Sequence, residues 1–278
     1  MRNLKLTICY DGSDFHGWQR QPGLPTVQEA LESAVEQITG ERPDATASGR
    51  TDAGVHALGQ VVNFYTASKL GPGVLLRGIN AKLPRSVRVL EAEEVPQAFH
   101  ATLDARSKRY RYVIDNAPIP DPFRLRYCWH VGTGLDEERM HRASQALKGR
   151  HDFRSFETEW PNRTSSVRTI FDIGVARDGP VVTLEVEADG FLYNMVRSIT
   201  GTLVLIGGGR RPESFAAEAL AAQSRKDAGP TAPPQGLFLR YVRYDRTSAG
   251  VVPAIRPVRP GARPDPPRRG GPLTPGAP

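Results

Sequence analysis

Cysteine is nearly absent: Cys9 and Cys128 are the only two in 278 residues. Two so far apart cannot make a disulfide framework or a structural zinc site, and they read as reduced, mostly buried thiols. No stretch of about 18 apolar residues occurs, which argues against a membrane span. Met1-Arg2-Asn3-Leu4-Lys5 runs straight into a strand-like segment without the apolar core of a signal peptide, so a cytoplasmic protein is expected. His16, His56, His100, His130, His141 and His151 include no HExxH pair, and His141 and His151 are wrongly spaced to share a metal. Gly207-Gly208-Gly209-Arg210 lacks the Lys-Ser/Thr of a phosphate-binding loop and reads as a helix stop.

Apolar residues make up 39% of the chain, enough for a buried core. The net charge of +7 hints at a polyanionic partner. However, Thr247 to Pro278 holds five arginines against one aspartate and so carries +4 of that charge. This Pro- and Gly-rich stretch has no apolar periodicity and reads as a flexible basic tail. In the body, Arg106, Lys108, Arg109 and Arg111 cluster, as do Arg210-Arg211 and Arg225-Lys226. Each cluster is either a phosphate track or a solvated face. Trp18, Trp129 and Trp160 could stack on RNA, with core packing the plainer reading.

Two sets of elements precede the tail. The first has a strand over Leu4–Tyr10, then a helix opened by the capping-box pattern Thr26-Val27-Gln28-Glu29 and stopped by Gly40. Strands at Ala45–Ser48 and Gln60–Tyr65, a helix at Val74–Lys82 and a strand at Val87–Glu93 complete it. The second has a strand at Arg109–Asp115, a helix over Glu137–Lys148, and a hairpin of Arg168–Arg177 with Val181–Ala188 across Asp178-Gly179-Pro180. An apolar helix at Tyr193–Ile206, a helix at Pro212–Ala222 and a strand at Gly236–Tyr244 follow. Both sets read β-α-β-β-α-β. The expected fold is α+β, with two ferredoxin-like (RRM-like) halves, 1–104 and 105–246, forming an extended mixed or antiparallel sheet around a central cleft, and a tail from 247.

Ser48-Gly49-Arg50-Thr51-Asp52-Ala53-Gly54-Val55-His56-Ala57 is polar and Gly-punctuated yet lies between apolar strands, which predicts a loop at a sheet edge. In extended geometry Arg50 and Asp52 point the same way. An arginine there would lower the carboxyl's pKa and orient it, as a nucleophile or general base needs. The alternative is an Asx-type turn with a structural ion pair.

The segment Arg50 to Ala57 closely resembles the signature of TruA-type tRNA pseudouridine synthases. Tyr10-Asp11-Gly12-Ser13-Asp14-Phe15-His16-Gly17-Trp18-Gln19 with Thr26-Val27-Gln28 resembles that family's N-terminal motif. Lys108-Arg109-Tyr110-Arg111-Tyr112, Asn194-Met195-Val196-Arg197 with Ile199 and Gly201, and Pro233-Pro234-Gln235-Gly236-Leu237 resemble its later motifs. The resemblance runs from about Met1 to Asp245. It implies that Asp52 attacks the nucleoside and that Arg50 pairs with it and helps hold the base out of the stack. Tyr110 would stack on that base and take the C5 proton, Arg197 would pair with Asp52 or a phosphate, and Leu237 would pack near the uracil. His16 and His56 fall in family motifs and are candidates for lining the cleft, with packing the alternative. It also implies uridines 38, 39 and 40 of the tRNA anticodon stem-loop as targets, and a homodimer. An isomerisation needs no cofactor or metal. Two other classes stay open: a non-catalytic RNA-binding or chaperone protein on the same fold, and a metal-dependent nuclease built on Asp11, Asp14 and Asp52.

Overall fold

The computed structural model describes residues 1–158 and 165–244. The tail from Thr247 and the side chain of Trp160 therefore lie outside the described residues. Strand β1 (Arg2–Tyr10) sends Leu4, Leu6 and Ile8 into the core while Lys5 and Thr7 point the other way, the period-2 alternation of a strand with one apolar face. Helix α1 (Val27–Thr39) is capped by Thr26, whose hydroxyl accepts from the Glu29 N–H at 3.3 Å, and it ends at Gly40 with φ 75°. Only half of the capping box forms, because the Glu29 carboxylate turns instead to Arg42 at 2.7 and 2.8 Å. Val27, Leu31 and Val35 are buried, and each contributes roughly 1.5–3 kcal/mol of burial.

Next come β2 (Thr46–Ala47), β3 (His56–Thr66), α2 (Pro72–Lys82) and β4 (Val87–Val95). The second set has β5 (Ser107–Asp115), β6 (Trp129–His130), α3 (Glu137–Ser144), β7 (Gly149–Asp152), β8 (Val167–Asp178), β9 (Val181–Ala188), α4 (Met195–Gly207), α5 (Phe215–Ala222) and β10 (Leu237–Arg243). One sheet runs β4-β1-β3-β10-β5-β9-β8-β7, with β2 on β3 and β6 on β5. Each set thus repeats one spatial order: β4-β1-β3-β2, and β10-β5-β9-β8. This is the expected ferredoxin-like arrangement, used twice. The two sets meet where β3 and β10 run parallel through His56 with Phe238 and Ala57 with Leu239.

Several expectations need adjustment. Strand β3 starts at His56, four residues before the predicted Gln60, because the signature's last residues already pair with β10. Helix α3 ends at Ser144 and tightens into a 3₁₀ turn over Gln145–Leu147. Helix α4 begins at Met195, since Asn194 stands at φ 61° and cannot be helical. Helix α5 begins at Phe215. Strands β6 and β7 had no apolar alternation to announce them. Among the described residues no helix is long and apolar enough to cross a membrane.

Candidate active site

The loop between β2 and β3 is held by the segment that follows β1. The Trp18 N–H donates to the Thr51 carbonyl at 3.0 Å, the Gly54 N–H donates to Phe15 O at 3.3 Å, and the Tyr10 and Thr51 hydroxyls meet at 2.8 Å. Glycine is required twice at this join. A Cβ on Gly12 would sit 2.0 Å from the Val55 oxygen, and one on Gly17, at φ 88°, would sit 2.6 Å from the Thr51 oxygen. Two motifs 30 to 40 residues apart are therefore one structural unit. Its far end is fixed by Gln60, which accepts from the Ser48 hydroxyl at 2.6 Å and donates to Gly49 O at 2.7 Å.

The loop opens onto a cleft of about 820 Å³. One wall comes from the first set: His16 to Gln21 in part, and Gly49 to Ala53 with Val55. The other comes from the second: Lys108 and Tyr110 on β5, Phe191 to Val196, and Leu237 at the start of β10. Asp52, Tyr110 and Leu237 thus line one cleft, from its two walls.

The cation beside Asp52 is Arg197, not Arg50. Arg197 Nη1 donates to Asp52 Oδ2 at 3.3 Å and to Asn194 Oδ1 at 2.7 Å, while its Nε donates to Ala232 O at 2.7 Å. Arg50 is exposed and makes no ion pair or hydrogen bond among the described residues. The expectation that it pairs with Asp52 rested on the local spacing alone, whereas the Asp52 carboxylate is taken by Arg197 and the Arg50 side chain stays exposed. Nor is the Asp52 carboxyl lowered. Burial pushes it above the usual value, and the charge and hydrogen bond of Arg197 offset only part of that. Asp52 Oδ1 has no hydrogen bond among the described residues.

Tyr110 is 7% exposed and packs edge-on to Phe191, ring centres 4.9 Å apart. Burial, with the nearby Tyr10 and Asp52, holds its phenol well above the ordinary tyrosine range, so it is neutral at physiological pH. A neutral phenol is a stacking surface and a hydroxyl rather than a ready base. Leu237 is 6% exposed and opposes Tyr112 across β10 and β5.

His56 does not line the cleft. It is buried behind it, where Nδ1 accepts the Gly12 N–H at 3.1 Å and lies 3.2 Å from Asp11 Oδ1. Nε2 meets the Gln235 carbonyl at 3.1 Å, and the ring stacks on Phe238 at 4.6 Å. Burial lowers its pKa, so it is a neutral brace between the two sets. His16, in the same motif group, does line the cleft. The three carboxylates of the nuclease reading are not assembled: Arg126 pairs with Asp14 at 3.1 Å and with Asp11 at 3.8 Å, while Asp52 pairs with Arg197. No group of three metal-capable side chains occurs among the described residues.

Three members of the basic clusters are internally satisfied. Arg109 and Arg111 point away from the cleft to Glu185 at 2.7 and 2.6 Å, and Arg225 donates to Gly229 O and Thr231 Oγ1. Lys108, one residue before Arg109, faces the cleft instead. Strand parity places Lys108, Tyr110 and Tyr112 on one face, a signal that was available in the sequence. Asn194 had no such signal; its left-handed conformation aims its side chain at Arg197 and Thr158.

A sequence model described as tRNA pseudouridine synthase matches residues 7–104 and 143–245. A tRNA pseudouridine synthase A of Thermoanaerobacter sp. (strain X514) is 42% identical over 244 residues, covering 88% of this chain and 100% of its own length. One from Methylacidiphilum infernorum (isolate V4) is 46% identical over 242 residues, 86% of this chain and 94% of its own. One from Myxococcus xanthus is 45% identical over 260 residues, 91% and 98%. A solved H/ACA ribonucleoprotein bound to a substrate RNA is also similar, at 16% identity and TM-score 0.34 over 73% of this chain and 43% of that one, too distant to carry an argument. With the family's motifs gathered around one cleft and its relatives matched nearly end to end, the chain belongs to the tRNA pseudouridine synthase family.

Proposed function

We propose that this protein isomerises uridine to pseudouridine at positions 38, 39 and 40 of the tRNA anticodon stem-loop, with Asp52 as the attacking carboxylate. The observation that carries this reading is the state of Asp52. One oxygen is held by Arg197 and the other has no hydrogen bond among the described residues, in a cleft whose far wall is Tyr110 and Leu237. The reaction breaks the N1–C1′ bond, turns the ring and rejoins it through C5, releasing the C5 proton. A carboxylate can add to C1′ or C6, or take the C2′ proton, and each route needs its ionised form. Arg197 favours that form against the burial that opposes it. Flipping the base out of the stack costs a few kcal/mol, and stacking on Tyr110 offsets part of it. Arg50, at the mouth, helps hold the base out, and Leu237 packs against the uracil. The same reading takes residues 1–104 and 105–246 as the two halves, a cytoplasmic location, and a homodimer. Ile119 and Phe123, 79% and 90% exposed on the connection from β5 to β6, suit an interface between copies.

The experiment is tritium release from tRNA carrying 5-tritiated uridine, run with EDTA, for wild type and Asp52→Ala. Release by the wild type alone supports the reading. Binding without release by either protein would leave an RNA-binding protein on the same fold. Substrates keeping uridine at only one of the three positions should each be modified; failure at all three overturns the anticodon assignment.

A further inference from the structure

Every basic side chain on β5 but one has an acid partner. Arg109 reaches Glu185, Glu187 and Asp172, and Arg111 reaches Glu185. Lys108, on the opposite face, makes no hydrogen bond or ion pair among the described residues, although it lines the cleft with Asp52. Its Nζ lies over the backbone at Gly49, 3.4 Å from where a Cβ would stand. The charges that act on it are Arg168, which is of like sign, and Asp189, which is not within ion-pair distance and already accepts the Thr169 N–H at 2.9 Å. Burial and Arg168 hold the Lys108 ammonium below the usual lysine value. A part-buried cation without an anion is unfavourable in the free protein, and a ligand anion at this place removes the penalty.

We propose that Lys108 holds one phosphodiester of the substrate RNA beside the target nucleotide, and so sets which base along the strand is presented to Asp52. The inference rests on the reading of the cleft as an RNA uridine site. Lys108 is two residues from Tyr110 on the same face of β5, about 7 Å along the strand, roughly the separation of adjacent phosphates and a distance that suits a base on Tyr110 with its own or a neighbouring phosphate on Lys108. The basic residues on the back of β5 are already bound to carboxylates and cannot substitute for it.

The test couples a protein change to an RNA change. Single methylphosphonate linkages, which remove one phosphate charge, are placed in turn on either side of the target uridine. Binding and single-turnover tritium release are then measured for wild type, Lys108→Met and Lys108→Arg. Lys108→Met should weaken RNA binding about tenfold and reduce the slope of log affinity against log salt by about one. Lys108→Arg should retain most of both. One linkage should weaken the wild type and have no further effect on Lys108→Met, while the others weaken both proteins equally. If every linkage acts equally on both proteins, or if Lys108→Met binds like wild type, the inference is overturned. If Lys108→Met is poorly folded by its melting curve, the same linkage scan on Lys108→Arg decides: the marked linkage must still matter there. Wild-type release on the unmodified substrate is the separate control. Release without linkage coupling overturns only the role of Lys108. Coupling without release leaves the phosphate contact standing and overturns the catalytic reading.

Discussion

Asp52 and Glu185 are both part-buried carboxylates facing arginine, with 28% and 19% of the side chain exposed, and their proton affinities move in opposite directions. Burial alone would raise both. At Glu185 it is outweighed: Arg111 donates twice to Oε1, at 2.8 and 2.6 Å, Arg240 adds a third bond at 2.7 Å, and Arg109 holds Oε2 at 2.7 Å. The carboxyl sits below the usual range. At Asp52 one guanidinium, at 3.3 Å and shared with Asn194 and Ala232, is not enough. A carboxylate with both oxygens engaged by guanidinium donors holds a sheet together and is poorly placed to react. One held by a single contact keeps an oxygen without a hydrogen bond among the described residues. On the proposed reading, the difference between a structural and a reactive acid here lies in the number of donors rather than in depth.

The largest effect should come from removing the carboxylate proposed to attack. Asp52→Asn keeps the shape and should lower single-turnover tritium release by at least about 10³-fold, with RNA affinity within about twofold of wild type by filter binding. A variant that keeps a tenth of the rate would show that Asp52 is not the attacking group.

Second is the one contact that separates the two cases. Arg197→Met leaves Asp52 with burial alone, so its pKa rises further. The proposed attack needs the ionised form, so the acid limb of the rate–pH profile should move to higher pH. The rate at neutral pH should fall on the order of a hundredfold. The deficit should be larger in acid than in alkali. A uniform drop across pH would mean that Arg197 acts on the substrate and not through Asp52.

Third, the saturated acid. Glu185→Gln leaves Arg109, Arg111 and Arg240 facing an amide. Because a fifth of the side chain is solvated, the expected loss is about 2 kcal/mol, below that of a fully buried pair, a drop of several degrees in the melting temperature. KM for RNA should not change. Glu185 is lowered by folding, so its contribution is present at neutral pH and is lost as pH falls through that lowered value. Acidification should therefore destabilise the wild type more than Glu185→Gln.

Much of this contrast was open to reading from the chain. The repeated β-α-β-β-α-β order emerges from apolar periodicity and the caps at Thr26 and Gly40, and Asp52 stands out as a carboxylate in a Gly-bracketed loop between apolar strands. What stayed hidden depends on distant partners. Arg197 lies 145 residues from Asp52, and the two walls are brought together by the parallel join of β3 and β10, two residue pairs long, with side-chain contacts such as His56 to Gln235 and Arg126 to Asp14. The local rule that placed Arg50 beside Asp52 failed because a cation distant in sequence reaches the carboxylate while Arg50 stays exposed. It also put the pKa shift in the wrong direction, since burial cannot be counted from sequence. Strand β7, Gly-Arg-His-Asp, has no apolar alternation and is ordered by pairing with β8 alone. The parity of β5, by contrast, was legible: Lys108 and Tyr110 share a side that Arg109 and Arg111 do not.

The smallest effect tests that parity most directly. Arg111→Met removes one positive charge from the same strand as Lys108→Met, three residues away, but from the saturated face. Arg111 is 32% exposed and Glu185 keeps Arg109 and Arg240, so the loss should be about 0.5–1 kcal/mol, a shift of a few degrees in thermal unfolding. RNA affinity and its salt slope should stay within error of wild type, because a guanidinium already neutralised by Glu185 releases no counterions when RNA binds. Were Arg111→Met to lower the salt slope as much as Lys108→Met, the back of the sheet would also be an RNA surface. The count of engaged donors would then no longer separate binding from structural charges.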